Sequence, residues 1–362
     1  MLTLANFTYP VPPELIAQTP AVPRDSSRLL VLDRETQAIT HHHFSDLPDL
    51  LQPTDVIVRN NTKVIPARIY GKKLDTGGDI EFLLIKRLGK SEKGEIWECL
   101  SKPGLKLGQR VGFADSNLEL TCIKMLGYSR EIEFNQAGSE LFSSLDQIGH
   151  TPLPPYIDWT KHDEQELRHL YQTTYAKFEG SAAAPTAGLH FTPELDQRLI
   201  DKGVAIEEVT LHVGLGTFLR VKVDDIAQHH MHSETYSLTP EVAERLNHAK
   251  QAGRRIIVVG TTTTRVLETC ADATTGLLQP NSGDTDIFIY PPKKFAFVNN
   301  LITNFHESQS TLLMLVSALT TAPNTSHEFT TFADSPVGKA YQTAIDEKYR
   351  LHSFGDAMWI RG

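Results

Sequence analysis

Cysteine is nearly missing from this chain. Only Cys99, Cys122 and Cys270 occur among 362 residues, widely spaced, odd in number and without a CxxC pair. That scarcity fits a reducing compartment and leaves no zinc ribbon. Long apolar runs are missing as well: the longest, TLLMLVSAL at 311–319, is far too short to cross a bilayer. The opening MLTLANFTYPVPPELIAQTP has no charged n-region and no apolar h-region, so it does not read as a secretory signal. Nor is there an excess of positive charge: 35 Lys and Arg stand against 44 Asp and Glu, a net charge of −9. A strongly basic coat for nucleic acid is therefore absent, although a local basic patch is not excluded. The glycine-rich dinucleotide fingerprint is incomplete and the HExxH zinc pattern does not occur. These absences leave a cytoplasmic chain with no membrane segment.

What is present is ordinary globular composition, 40% hydrophobic and 22% charged, in a length that suits two domains. From about 64 to 137, ARIYGKK, GDIEFLLIKRL, EIWECLS, RVGFA, LELTCIKM and REIEFN follow closely with short turns and no helix between them. That texture predicts a small antiparallel β-barrel. SELFSSLDQIG then reads as a short helix and HTPLPPYIDW as a stiff linker. After residue 190, helices alternate with buried strands. TPELDQRLIDKG and TPEVAERLNHAKQAG share one recipe: Thr192 or Thr239 as cap, Pro193 or Pro240 in the first turn, Gly203 or Gly253 past the end. RIIVVG is a continuous apolar run, as in a parallel strand, and TDIFIY reads as a further strand. The prediction is α/β: a barrel-like α/β domain formed by 1–63 and 151–362, with an inserted all-β barrel domain at 64–150.

Several segments carry chemistry-bearing side chains. SAAAPTAGLHFT, 181–192, lays small residues before His190. They provide either a platform for a flat ligand beside a proton-transfer group or a tight backbone crossing with a packed histidine. HVGLGTF, 212–218, offers a close-approach backbone at Gly214 with His212 and Thr217 beside it. In HHMHSE, 229–234, His229, His232 and Glu234 have metal-ligand spacing, but hydrogen bonding to substrate or a structural role is favoured over a metal. VGTTTTRVLET, 259–269, puts Thr261 at a helix start and Arg265 one turn inside, which suits a carboxylate, or simply a threonine cap. RNNTKVIPARIYGKK, 59–73, gathers Arg59, Lys63, Arg68, Lys72 and Lys73, either a phosphate-contacting face or a solvated strand edge. Tyr290, at the end of the expected strand TDIFIY, is favoured over Asp286 as a ligand contact, and His306 precedes the apolar helix at 311. The three adjacent histidines at 41–43 read as a solvated run.

Taken in order, the segments resemble the bacterial S-adenosylmethionine:tRNA ribosyltransferase-isomerase family. The resemblance runs through ELIAQTP…RDSSRLLVLDR, NNTKVIPARIYGKK, GHTPLPPYI, YQTTYAKFEGSAAAPTAGLHFT, VTLHVGLGTF…HHMHSE, VGTTTTRVLE, TDIFIYP, LITNFH…STLLMLVSAL and AYQTAIDEKYR…FGDAM. Departures are Asn61 where the family usually has aspartate, YPPKKF (with Pro292) for a Tyr-Pro-Gly turn, and HESQST for His-Leu-Pro-Lys-Ser-Thr. The resemblance implies transfer of the ribosyl part of S-adenosylmethionine to 7-aminomethyl-7-deazaguanine at a tRNA wobble position. Adenine and methionine leave, and the product is epoxyqueuosine-tRNA. S-adenosylmethionine is a substrate here; no permanently bound cofactor and no metal is expected. On this reading His190, His212, His232 and Glu234 are the catalytic candidates. Thr186, Gly188, Gly214, Thr217, Thr261, Arg265, Tyr290 and His306 are expected to bind substrate, and Lys63, Arg68 and Lys72 to touch tRNA. The chain is expected to act as a monomer. Rival readings are a non-catalytic tRNA-binding module, a metal hydrolase built on His229, His232 and Glu234, and a conventional methyltransferase.

Overall fold

The computed structural model describes residues 2–114, 116–158, 162–214 and 221–362. Its larger part is a nine-strand mixed sheet. The spine is four parallel strands in the order Ala205–Leu211, Val56–Asn60, Ile256–Val259 and Asn300–Asn304. Ala357–Arg361, Arg28–Asp33 and Ile39–His43 continue one side, and Glu234–Leu238 and Asn281–Thr285 the other. The spine strands VIVRN, IIVV and NLITN are buried along their whole length, as strands covered on both faces must be.

Alternate side chains of these strands feed two cores. Val56, Val58, Val258 and Leu301 pack with the helices Pro240–Gln251, Thr261–Cys270, Thr311–Leu319 and Pro336–Asp346. Ile57, Ile257, Val259 and Ile302 meet Phe44, Trp359 and the helix Pro193–Asp201 on the opposite face. The helix starts lie where cap chemistry put them: Thr192 Oγ1 accepts from Leu195 N at 3.1 Å and Thr239 Oγ1 from Val242 N at 3.4 Å. This is a layered α/β arrangement. Among the described residues, the edge strands Ile39–His43 and Asn281–Thr285 are not paired with each other.

The smaller part is a closed antiparallel barrel. Arg68–Lys73, Asp79–Lys90, Glu95–Lys102, Ser129–Phe134, Glu119–Leu126 and Arg110–Gly112 pair in that order. Arg110–Gly112 then returns to Arg68–Lys73 through Lys72–Gly112 and Lys73–Val111. Phe82, Trp97, Ile132 and Phe134 fill the interior, and Leu141 and Leu145 of the helix Ser139–Ile148 seal it. Cys99, Cys122 and Cys270 are free and buried. No helix of the described residues is long and apolar enough to cross a membrane.

One expected strand is displaced. TDIFIY is not a strand; the ladder beside Glu234–Leu238 is taken by the preceding NSGDT, Asn281–Thr285. Only Thr285 of that edge strand is buried, so its polar sequence suits its position. The apolar residues after it serve packing instead: Ile289 is 2% exposed, and Phe288 lies edge-on to His229 at 5.3 Å. Tyr290 therefore does not stand at a strand's carboxyl end, which is Thr285.

Candidate active site at the carboxyl ends of the parallel strands

The segment 177–190 crosses the carboxyl ends of all four spine strands. Lys177 N donates to Asn61 O at 2.8 Å, just past Val56–Asn60. Ala182 N donates to Val213 O at 2.8 Å, just past Ala205–Leu211. Ala187 lies against Gly260, where a β-carbon would sit 3.7 Å from the alanine methyl. Thr186 Oγ1 donates to Asn304 Oδ1 at 2.8 Å. In open α/β sheets this edge is where ligands bind. The small residues permit the crossing: at Gly188 a β-carbon would stand 2.0 Å from the Tyr175 hydroxyl.

Thr186, His190, His306 and Asn304 come together at the end of Asn300–Asn304. His190 is 4% exposed. Its Nδ1 meets Ser27 Oγ at 2.8 Å, its Nε2 meets Asn304 Nδ2 at 3.4 Å, and its ring stacks on Phe44 at 4.9 Å. With the Asn304 amide donating to Nε2, the ring proton sits on Nδ1 and is donated to Ser27. Burial, followed by the charges of Arg350 and Arg24, pushes this imidazole down to about 3. His306 is likewise buried and pushed down to about 3, by burial and then by His352. Its Nε2 meets Thr303 Oγ1 at 2.8 Å. Both rings are neutral at pH 7.

A second group forms past Ala205–Leu211. His212 is half-buried, its Nδ1 is 2.8 Å from Thr62 Oγ1, and its ring lies over Gly180. Gly180 has φ +143°, and a β-carbon there would stand 3.1 Å from the imidazole, so glycine is required. Burial lowers the pKa of His212, and so does Arg87 on the barrel strand Asp79–Lys90. The barrel thus contributes charge to this end of the sheet. Gly214 N donates to Glu234 Oε1 at 2.9 Å, and the other Glu234 oxygen pairs with Arg265. Both partners are buried, Glu234 to 2% and Arg265 to 5% exposure, so the pair is internally neutralised. Arg265 Nε has no partner among the described residues. In the threonine run, Thr263 Oγ1 bonds Val259 O at 2.6 Å and Thr264 Oγ1 bonds Gly260 O at 3.1 Å. Those two are spent on backbone, while Thr261 stands at the helix start.

The remaining candidates make their contacts with residues outside these two groups. His232 meets the exposed Tyr128 hydroxyl of the barrel at 3.2 Å. Since Glu234 turns to Gly214 and Arg265, and His229 to Phe288, the three do not converge on an ion. No group of three metal-ligating side chains occurs among the described residues. Tyr290 packs on Phe288 at 4.6 Å. Thr217 lies outside the described residues. Lys63, Arg68 and Lys72 are each paired with an acid: Glu179 at 2.9 Å, Glu81 at 2.8 Å and Asp79 at 3.1 Å.

Sequence reasoning missed three members of this edge. Asn60 Nδ2 donates to Leu211 O at 2.9 Å and to Thr262 Oγ1 at 3.2 Å, while its Oδ1 accepts from Leu211 N and Thr62 N, both at 3.1 Å. Asn304 joins Thr186, His190 and the His352 carbonyl. Ser27 fixes His190 from a distant part of the chain. A signal existed for the asparagines: VIVRN and NLITN both end in Asn.

With this geometry in place, the comparisons are decisive. A family described as "Queuosine biosynthesis protein" matches residues 4–360. The chain belongs to the queuosine biosynthesis protein family. An S-adenosylmethionine:tRNA ribosyltransferase-isomerase of Desulfitobacterium hafniense (strain DSM 10664 / DCB-2) is 50% identical over 363 residues, covering 99% of this chain and all of that protein. The crystal structure of S-adenosylmethionine tRNA ribosyltransferase from Thermotoga maritima is 37% identical, covers 98% of this chain and 99% of its own, and superposes with a TM-score of 0.53. Within the queuosine biosynthesis family, then, this member places His190 and His212 on one strand edge, bridged by the crossing segment 177–190.

Proposed function

We propose that the chain transfers and isomerises the ribosyl moiety of S-adenosylmethionine onto 7-aminomethyl-7-deazaguanine at the tRNA anticodon wobble position. The product is epoxyqueuosine-tRNA, and adenine and methionine are released. The observation that carries this reading is the full-length 50% identity to a ribosyltransferase-isomerase. The clustering of family segments on one strand edge supports it. The reaction needs a base for a proton acidified by the neighbouring sulfonium, a proton source for departing adenine, and a neutral attacking amine. His212, half-buried and oriented by Thr62, is the proton-transfer group best placed to meet substrate. His190, sealed between Ser27, Phe44 and Asn304, positions Asn304 and through it Thr186. Thr261 and the Nε of Arg265, which has no partner among the described residues, are assigned to the methionine carboxylate, with the Gly214 backbone, held by Glu234, beside them. Lys63, Arg68 and Lys72 are assigned to tRNA phosphate, which would displace their present acidic partners. We read 64–150 as an insertion into a catalytic unit made of 1–63 and 151–362, acting as a cytoplasmic monomer.

The test is direct. Purified protein is incubated with S-adenosylmethionine and tRNA bearing the aminomethyl base, and nucleosides are analysed by mass spectrometry. Epoxyqueuosine with equimolar adenine and methionine is expected. A methylated tRNA with S-adenosylhomocysteine, or no consumption of S-adenosylmethionine, would overturn the reading.

A further inference from the structure

Beside Thr186 and Asn304 lies a narrow cleft that opens to solvent. Its wall joins the rings of Tyr156 and Tyr171 to Thr186, Asn304, His306 and His352. His352 is 5% exposed, and neither of its ring nitrogens has a hydrogen-bond partner among the described residues. Burial pushes its imidazole down to about 4, so at neutral pH it offers one N–H donor and one lone pair. Its backbone sits at φ +68°, a left-handed conformation uncommon for residues other than glycine. Hydrogen bonds hold it there: His352 N donates to Phe305 O at 3.1 Å, and its carbonyl accepts from Asn304 Nδ2 at 3.4 Å. Tyr156 lies 4.8 Å from the imidazole at 57°, with its hydroxyl 2.6 Å from Ser353 Oγ. A buried polar ring without partners weakens a fold, and a phenyl ring in its place would avoid that cost. Aromatic rings, the polar groups of Thr186 and Asn304, and a histidine whose nitrogens are both unengaged among the described residues thus line one cleft.

We propose that this cleft receives the polar edge of a purine-like heterocycle and that His352 hydrogen-bonds that edge. The inference rests on the ribosyl-transfer reading, which brings two such rings to this strand edge, adenine and the 7-deazaguanine base. Both share a planar fused ring with donors and acceptors on its rim. His352→Phe keeps an aromatic ring and removes both nitrogens. Calorimetric titration of the wild-type protein and the variant with adenine, S-adenosylmethionine, methionine and free 7-aminomethyl-7-deazaguanine separates the sources. Melting of each protein is measured alongside. The variant is expected to melt no lower than wild type and to lose about tenfold in affinity for one of the two heterocycles, with methionine unchanged. Loss confined to adenine and S-adenosylmethionine identifies the donor's ring; loss confined to the free base identifies the RNA's. His352→Asn keeps a donor and an acceptor and tolerates the left-handed backbone, so it is expected to bind within about threefold of wild type. Loss there as large as in the phenylalanine variant overturns the hydrogen-bond role. If wild type binds and the phenylalanine variant binds equally well, this inference falls and the ribosyl-transfer reading stands. If wild type binds neither S-adenosylmethionine nor either heterocycle, both fall.

Discussion

His190 and His212 separate two uses of one residue type. His190 has both nitrogens engaged and is 4% exposed, whereas His212 is half-buried with Nδ1 fixed by Thr62. His212→Ala is expected to lower kcat by about 10²-fold or more with melting little changed, as for loss of a proton-transfer group. His190→Ala leaves Ser27 and Asn304 without their partner and is expected to cost about 1–3 kcal/mol of stability. Steady-state kinetics and thermal melts on the same preparations check both; an unstable His212 variant with an unaffected His190 variant would reverse the assignment. The buried histidines also set an acid limit. Folded, His190 and His306 protonate only near 3 and His352 near 4. Unfolded, each takes a proton at about 6.5. Below about 6.5 the unfolded chain therefore binds more protons, and stability falls as pH drops toward the folded values. Melting temperature should decline steadily from pH 6.5 to 4.5, with a shallower slope in His190→Asn; a flat profile over that range contradicts neutral burial. These partnerships were illegible in sequence because they span long separations, 163 residues from Ser27 to His190 and 150 from Thr62 to His212. Chain periodicity carries no information on such pairs.

At the scale of elements, the Glu234–Arg265 pair ties the strand Glu234–Leu238 to the helix Thr261–Cys270. Glu234→Ala strands a buried guanidinium and is expected to cost about 3–5 kcal/mol. Chemical denaturation measures it, and adding Arg265→Met should recover most of the loss. A Glu234→Ala protein of wild-type stability would show that the pair does not hold these elements together. Elements with local chemistry were legible: the Thr-Pro helix starts at 192 and 239 and the apolar parallel strand at 256 all lie where their residues dictate. The strand after Leu278 was not. Ile287, Phe288 and Ile289 carry the apolar signal, yet they pack on the core as irregular chain, while the ladder is formed by NSGDT. At an exposed edge, pairing is decided by backbone geometry and leaves little trace in hydrophobicity.

For the whole molecule, barrel and sheet meet beside the candidate site. Lys86 Nζ reaches Asp284 at 2.9 Å, and Tyr128 meets His232 at 3.2 Å. Lys63 lies on the strand Thr62–Val64 and Arg68 and Lys72 on the first barrel strand, so a bound RNA would run from one part to the other. Replacing all three with alanine is expected to raise KM for tRNA and to reduce the slope of log affinity against log salt by about 2–3, leaving KM for S-adenosylmethionine unchanged. An unchanged slope means that these cations stay with Glu179, Glu81 and Asp79 when RNA binds. The texture of both parts was legible, because alternation marks the barrel and buried runs mark the parallel strands. Their joint edge was not, since it depends on the segment 177–190 crossing four strand ends. A crystal structure with S-adenosylmethionine bound decides whether substrate meets that crossing. Density for the ribosyl group is expected against 181–190, between His212 and Asn304. Density on the amino-end groove lined by Glu207, Arg245 and Arg254, or on the barrel alone, would contradict it.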